Sequence, residues 1–214
     1  MKLPGLFFFI ISVSIFFISC KENEKPDLPQ PKAETDSPDN TSFDTTANPY
    51  VIVDLSPMDM SYYPKDYPKL KMGNSKIAPP VMRMIYSRPH LEGREIFHDV
   101  LKYGDVWRLG ANESTEIDFY RDVTIQRKPV KAGRYILYCI LGPATWDIVL
   151  NSNVDSWGLE QDSTKDIQHF EIPVKHGNPE LEYLTMVFEK TSTGADLIIA
   201  WDDVLAKLPI DFKD

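Results

Sequence analysis

Thr115-Glu-Ile-Asp-Phe-Tyr120 alternates side chains with a period of two. In an extended chain Thr115, Ile117 and Phe119 fall on one side and Glu116, Asp118 and Tyr120 on the other. That is the pattern of a half-buried antiparallel strand. The same texture recurs in both directions. Residues 50–55 and 81–86 precede this stretch; 123–126, 133–141, 145–150, 167–174, 181–189, 195–201 and 204–210 follow it. Turn residues separate the runs at Lys131-Ala-Gly133, Leu141-Gly-Pro143, Lys175-His-Gly-Asn-Pro179 and Ser192-Thr-Gly194. Residues 56–80 carry prolines at 57, 64, 68, 79 and 80 and read as irregular. No window has the period of a long amphipathic helix. About ten short strands without a helical layer predict an all-β fold, an antiparallel β-sandwich or jelly-roll-like single domain spanning residues 50–214. A domain of this length buries close to 70% of its unfolded surface.

The N-terminus is of another kind. Lys2 is followed by the apolar run Leu6–Ile18 and then Ser19-Cys20. A cation, a short apolar core and a small residue before a cut describe a secretory signal over residues 1–19. About 17 apolar residues is near the lower limit for a membrane span. The cysteine directly after Ile-Ser resembles a bacterial lipobox, in which Cys20 becomes the lipidated first residue. Such a chain would meet the membrane through acyl chains on Cys20, each buried methylene contributing about 0.8 kcal/mol. Residues 20–49 are rich in proline, acids and Ser/Thr, with Phe43 the only aromatic. They cannot bury enough apolar surface to offset their ordering entropy and read as a disordered tether. Its mean reach is roughly 30 Å. Lys21-Glu22-Asn23-Glu24 resembles the export signal of Bacteroidetes-type lipoproteins. The localisation this implies is the outer membrane, lipid-anchored, with the cell surface as one face the domain would occupy.

Composition excludes several classes. The chain carries a formal charge of −9. Without residues 1–19, 22 cations stand against 32 acids. Neither nucleic acid nor anionic lipid would attract such a surface. Two cysteines give no disulfide framework. Cys139 lies in the apolar run 135–141 and reads as core packing. No G-x-S-x-G elbow, H-E-x-x-H, C-x-x-C, P-loop or dinucleotide fingerprint is present, and His90, His98, His169 and His176 lack metal-ligand spacing, so no cofactor or metal is predicted.

Chemistry concentrates in residues 86–115. From Tyr86 to Glu113 four cations (Arg88, Arg94, Lys102, Arg108) meet five acids, a balance of −1. This is no basic patch for phosphates. Arginine forks suit carboxylates and stack on aromatic faces, and Tyr86, Phe97, Tyr103 and Trp107 lie among them. Two readings follow. In one, the arginines pair internally, with Glu113 as partner, and fix a long connection to the sheet. In the other, Arg88, Arg94 and Arg108 meet an anionic ligand beside Trp107, while Asn112 and Glu113 bond its polar edge. Tryptophans 107, 146, 157 and 201 sit near turns or strand ends, where one could stack on a sugar ring.

Tyr86-Ser-Arg-Pro89, Gly93-Arg-x-Ile-Phe97, Tyr103-Gly-x-Val-Trp-Arg-x-Gly-Ala-Asn-Glu-x-Thr115, Asp122-Val-x-Ile125 and Ala132-Gly-x-Tyr135 resemble the signature of domain-of-unknown-function family 2911. Trp146-x-Ile-Val-Leu-Asn151, Trp157-Gly158 and Ala195-Asp-Leu-x-x-x-Trp201 fit the same pattern. The resemblance implies an exported, all-β protein of the Bacteroidetes type with no established activity. Its matching residues are Arg88, Arg94, Trp107, Arg108, Asn112 and Glu113. His98 stands where a glycine is usual, Lys102 where a proline is usual, and Gln126-Arg127 replaces a glycine-rich turn. The expected function is a non-catalytic binding or interaction module of the cell envelope, taking a glycan or a small anionic ligand. The alternatives are an envelope hydrolase with Glu113 as acid or base, and a purely structural envelope protein.

Overall fold

Period-two alternation becomes one curled sheet. The computed structural model describes residues 56–212; the expected signal segment, Cys20, the tether and the first expected strand at 50–55 lie outside them. In chain order the elements are β1 (Met58–Tyr63), α1 (Tyr67–Gly73), β2 (Met82–Ser87), β3 (Val106–Trp107), β4 (Thr115–Phe119), β5 (Val123–Ile125), β6 (Lys128–Val130), β7 (Gly133–Ile140), β8 (Thr145–Asn151), β9 (Asp166–Lys175), β10 (Leu181–Lys190), β11 (Gly194–Asp202) and β12 (Val204–Asp211). Short helical turns lie at Ile96–Val100 and Ser163–Lys165. Thr115, Ile117 and Phe119 of β4 are buried, and Glu116 and Asp118 are half-buried on the outer face.

The strands pair antiparallel in the order β1-β2-β4-β7-β8-β9-β12-β11-β10. β9 turns the corner between two sandwich-like faces. It pairs with β8 along most of its length, but with β12 only at Val174 and Lys175. The far ends then meet. Leu91 N–H donates to Glu182 O at 2.9 Å, Leu184 N–H donates to Pro89 O at 3.0 Å, and Ser61 Oγ donates to Met186 O at 2.5 Å. The fold is therefore all-β and antiparallel, with its two faces joined into a single sheet nearly closed like a barrel. Closure removes most of the unpaired edge that an open sheet would expose.

One continuous core fills the interior, from Met82, Met84 and Ile117 through Ile148 and Phe170 to Leu197 and Leu208. Every core side chain and every strand pairing described falls within residues 58–212. Cys139 is fully buried in this core, and burial pushes its thiol well above the usual range.

Residues 56–80 differ from the irregular expectation, because they hold β1 and α1. β1 has no buried position and exposes Met58 and Met60, so its period of two carries no apolar signal. Pro68 sits in the first turn of α1, where its missing N–H has no helical partner to lose. The two-residue β3 and the proline-bearing β6 are equally invisible to pattern reading.

Candidate functional site

Three of the four tryptophans turn inward. Phe97, Trp107, Trp146 and Trp201 are all buried and come from the 96–100 turn, β3, β8 and β11. Phe97 packs against Trp107 at 6.0 Å, Trp146 at 5.6 Å and Trp201 at 6.4 Å between ring centroids, and Trp107 stacks on Trp201 at 5.9 Å. Such pairs contribute about 0.5–1.5 kcal/mol each beyond area burial. Trp201 Nε1 donates to Glu182 O at 3.2 Å, which ties the cluster to the sheet closure. Trp157 alone is exposed, at 53%.

A cleft of about 850 Å³ opens above this cluster, with Trp107 and Trp201 in its lining. Its walls carry Arg94 and Arg108 together with Ile96, Val106 and Leu159. Arg94 is fixed by its own loop: Nε donates to Leu91 O at 2.9 Å and Nη2 to His90 O at 2.7 Å. Carbonyls orient this guanidinium without cancelling its charge. His90 Nε2 lies 3.1 Å from the Glu92 carboxylate, on the same rim.

Arg108 reaches the cleft through a close crossing of two loops. A Cβ at Gly158 would lie 2.5 Å from Arg108 Cδ, 2.7 Å from Asn112 O and 2.9 Å from Glu113 C. Only glycine lets the 152–161 loop pass this near. An antiparallel bridge between Glu113 and Trp157 and a bond from Ser114 Oγ to Ser156 O at 2.9 Å hold the crossing shut. The 108–114 loop is turned by Leu109 and Asn112, both at positive φ (56° and 57°). Asn adopts this region more readily than most residues, so Asn112 has a backbone reason to be where it is. Thr115 Oγ1 donates to Leu109 O at 2.9 Å and braces the turn.

The six residues predicted from sequence do not share one pocket. Arg94, Trp107 and Arg108 line the cleft; Arg88, Asn112 and Glu113 do not. Arg88 lies at the sheet closure. Its Nε donates to Leu184 O at 3.1 Å, its Nη1 lies 3.3 Å from Asp59 Oδ2, and its guanidinium covers the Tyr183 ring. Arg88 and Arg94 therefore take partners other than the expected Glu113. Glu113 is exposed and borders a second cavity of about 570 Å³ with Glu116, Asp155 and Trp157. Arg134 spans two of those acids, 2.5 Å from Asp155 Oδ1 and 3.7 Å from Glu116 Oε2.

Sequence reading missed the cleft's contributions from His90, Glu92, Leu159 and Gln161. Glu92 was counted only as a charge, and His90 was weighed only as a metal ligand. Gln161 carried no signal, because it reaches the cleft through the loop crossing.

A separate polar cluster sits on the outer face of β7, β8 and β9. His169 Nδ1 lies 2.8 Å from Asp147 Oδ2, and Asp166 accepts from Tyr138 Oη at 2.8 Å and from Asn151 Nδ2 at 2.7 Å. None of these residues lines either cavity. Among the described residues no group of three His, Cys, Asp or Glu side chains could hold a metal ion. The cleft joins an aromatic floor to two cations, and Ser56, His90, Glu92 and Gln161 are the other polar side chains of its lining.

A family model described as "Protein of unknown function (DUF2911)" matches residues 69–210. No curated protein and no solved structure matches the chain.

Proposed function

Since the chain belongs to the DUF2911 family, whose description supplies no activity, we propose from the geometry that the domain is a non-catalytic binding module that holds a small anionic ligand. The observation that carries this reading is the convergence of Arg94 and Arg108 on a cleft lined by Trp107 and Trp201. The cleft volume falls in the range of pockets that enclose small molecules, which is about 300–1,000 Å³. Two cations there stand out in a chain of net charge −9. Charged anchors on an apolar surface give orientation as well as affinity.

In this reading the domain works at the cell envelope. The lipobox-like Ile18-Ser-Cys20 supports an acyl anchor on Cys20, and the acid-rich residues 21–49 support a tether that holds the cleft away from the outer-membrane surface.

A thermal-shift screen of small carboxylates, phosphates and saccharides tests the binding reading. A ligand at 100 times its Kd stabilises by about 2.7 kcal/mol. An Arg108→Gln chain that folds but loses that shift supports the cleft. A hit whose shift survives both Arg108→Gln and Arg94→Gln removes the reading.

The hydrolase alternative draws on the Glu113 cavity, where three carboxylates gather. Two of them are engaged by Arg134, which leaves Glu113 without a second carboxyl free to take the complementary acid or base role.

A further inference from the structure

The chemistry of the cleft wall narrows the ligand. Three large apolar side chains stand on its lining with much of their surface in water: Val100 at 49%, Val106 at 52% and Leu159 at 61%. They belong to three separate segments, the end of the 96–100 turn, β3 and the 152–161 loop. Scattered exposed apolar residues need no explanation, but several converging on one concavity do. Below them lie Trp107 and Trp201, whose indoles are already stacked on each other. Stacking on a saccharide needs an open aromatic face, whereas Trp107 and Trp201 are each 4% exposed. The cleft pairs hydrocarbon walls with two guanidinium groups, and Ser56, His90, Glu92 and Gln161 are its other polar side chains. Its one carboxylate, Glu92, lies 3.1 Å from a histidine nitrogen.

Resting on the binding reading above, we propose that the cleft takes an anion with an apolar body, an alkyl or aryl carboxylate. The carboxylate meets Arg94, with Arg108 as the second cation, and the hydrocarbon lies along Val106, Leu159 and the indole pair. Arg94 suits the anchoring role because two backbone carbonyls, 2.9 and 2.7 Å away, already hold its guanidinium in place. Less side-chain entropy is then lost when the anion arrives. The exposed apolar rim gives the rest of the molecule a surface that water leaves at a gain.

The test uses residues 21–214, which contain every described strand and core residue, in detergent-free buffer. Hexanoate, octanoate and decanoate are titrated calorimetrically below micelle formation, beside hexanol and octanol. Affinity for the carboxylates is expected to rise about fourfold per added methylene. Each alkanol is expected to bind at least about tenfold more weakly than its carboxylate, since charge-assisted bonds are roughly twice as strong as neutral ones. Arg94→Gln should shrink the carboxylate-to-alkanol ratio and keep the chain-length slope. Leu159→Ser should flatten the slope and keep the ratio. Both side chains are exposed, so neither change removes a core contact.

Acetate, inorganic phosphate and glucuronate form the second arm. If one of them binds as tightly as decanoate, with the same Arg94 dependence, the ligand class is wrong and the binding module stands. If alkanoates bind with a slope that neither variant alters, the association is surface adsorption and the proposal falls. If no probe in either arm binds, the proposal and the binding reading fall together.

Discussion

Gly158→Ala examines the loop crossing that brings Arg108 to the cleft. The added Cβ would stand 2.7 Å from Asn112 O and 2.9 Å from Glu113 C, both backbone atoms, and 2.5 Å from Arg108 Cδ. The arginine stem can swing away; the backbone cannot without parting the loops. Overpacking of this kind costs about 1–3 kcal/mol. Parting the loops also strains the Glu113–Trp157 bridge and the Ser114 Oγ bond to Ser156 O, the latter contributing about 1 kcal/mol. A loss of about 2 kcal/mol corresponds to a Tm drop of roughly 4–8 °C for a domain of this size. Calorimetry or urea unfolding reads the stability, and titration with an Arg108-dependent ligand reads the site. The variant should lose both. Ser114→Ala removes the bond without the clash and should cost about 1 kcal/mol while keeping affinity. Gly73→Ala is the control, because a Cβ there meets nothing within 4 Å. Unchanged Tm and unchanged affinity in Gly158→Ala would refute the crossing as the device that positions Arg108.

Tyr138→Phe should destabilise by about 2 kcal/mol at neutral pH, the usual cost of a hydrogen bond to a charged group, because Asp166 loses a buried phenol donor. Burial, then the bond to Asp166, raises the Tyr138 phenol above its ordinary value near 10. Its folded form keeps the proton while the unfolded chain releases it, so stability holds below about pH 10 and declines above it. Urea midpoints across pH 8–11 should show this decline blunted in Tyr138→Phe, and parallel curves would contradict it. In the β5–β6 hairpin, Gln126 and Arg127 both sit at positive φ, 47° and 63°. Arg127→Gly should therefore stabilise by about 1 kcal/mol, seen as a higher urea midpoint; a lower midpoint would show that the turn is not strained. Cys20→Ser should leave the precursor without acyl label in metabolic labelling with a fatty-acid analogue. Normal labelling of that variant would remove the proposed anchor.

Much of the fold was legible because its causes are local. The alternation in 115–120 survives as the buried Thr115, Ile117 and Phe119 of β4. The apolar run around Cys139 could only be interior. The Gln126-Arg127 departure from a glycine-rich turn marks a hairpin that needs positive φ at both positions. β1 stayed hidden because an outer strand with no buried side chain has no apolar rhythm to read. α1 stayed hidden because its seven residues give less than the two full turns a helical pattern needs.

The candidate site was half legible. Residue types and the family resemblance together singled out Arg88, Arg94, Trp107, Arg108, Asn112 and Glu113, and of these Arg94, Trp107 and Arg108 line the cleft. Their separation from Arg88 and Glu113 was not in the sequence. Arg88 meets Leu184, 96 residues away in the chain, because the sheet's two ends come together there, and it meets Asp59 from the adjacent β1. Glu113 turns to the far side because Leu109 and Asn112 reverse the backbone at positive φ, and nothing in a leucine announces that. By itself the sequence determined an all-β chain with Cys139 in its core and a segment rich in arginine and aromatics. Only the tertiary structure decided that the sheet curls on itself, that three of the four tryptophans face inward, and that a glycine crossing aims one arginine into a cleft. Periodicity records which way each side chain points from its own strand; closure and crossing depend on partners distant in the chain.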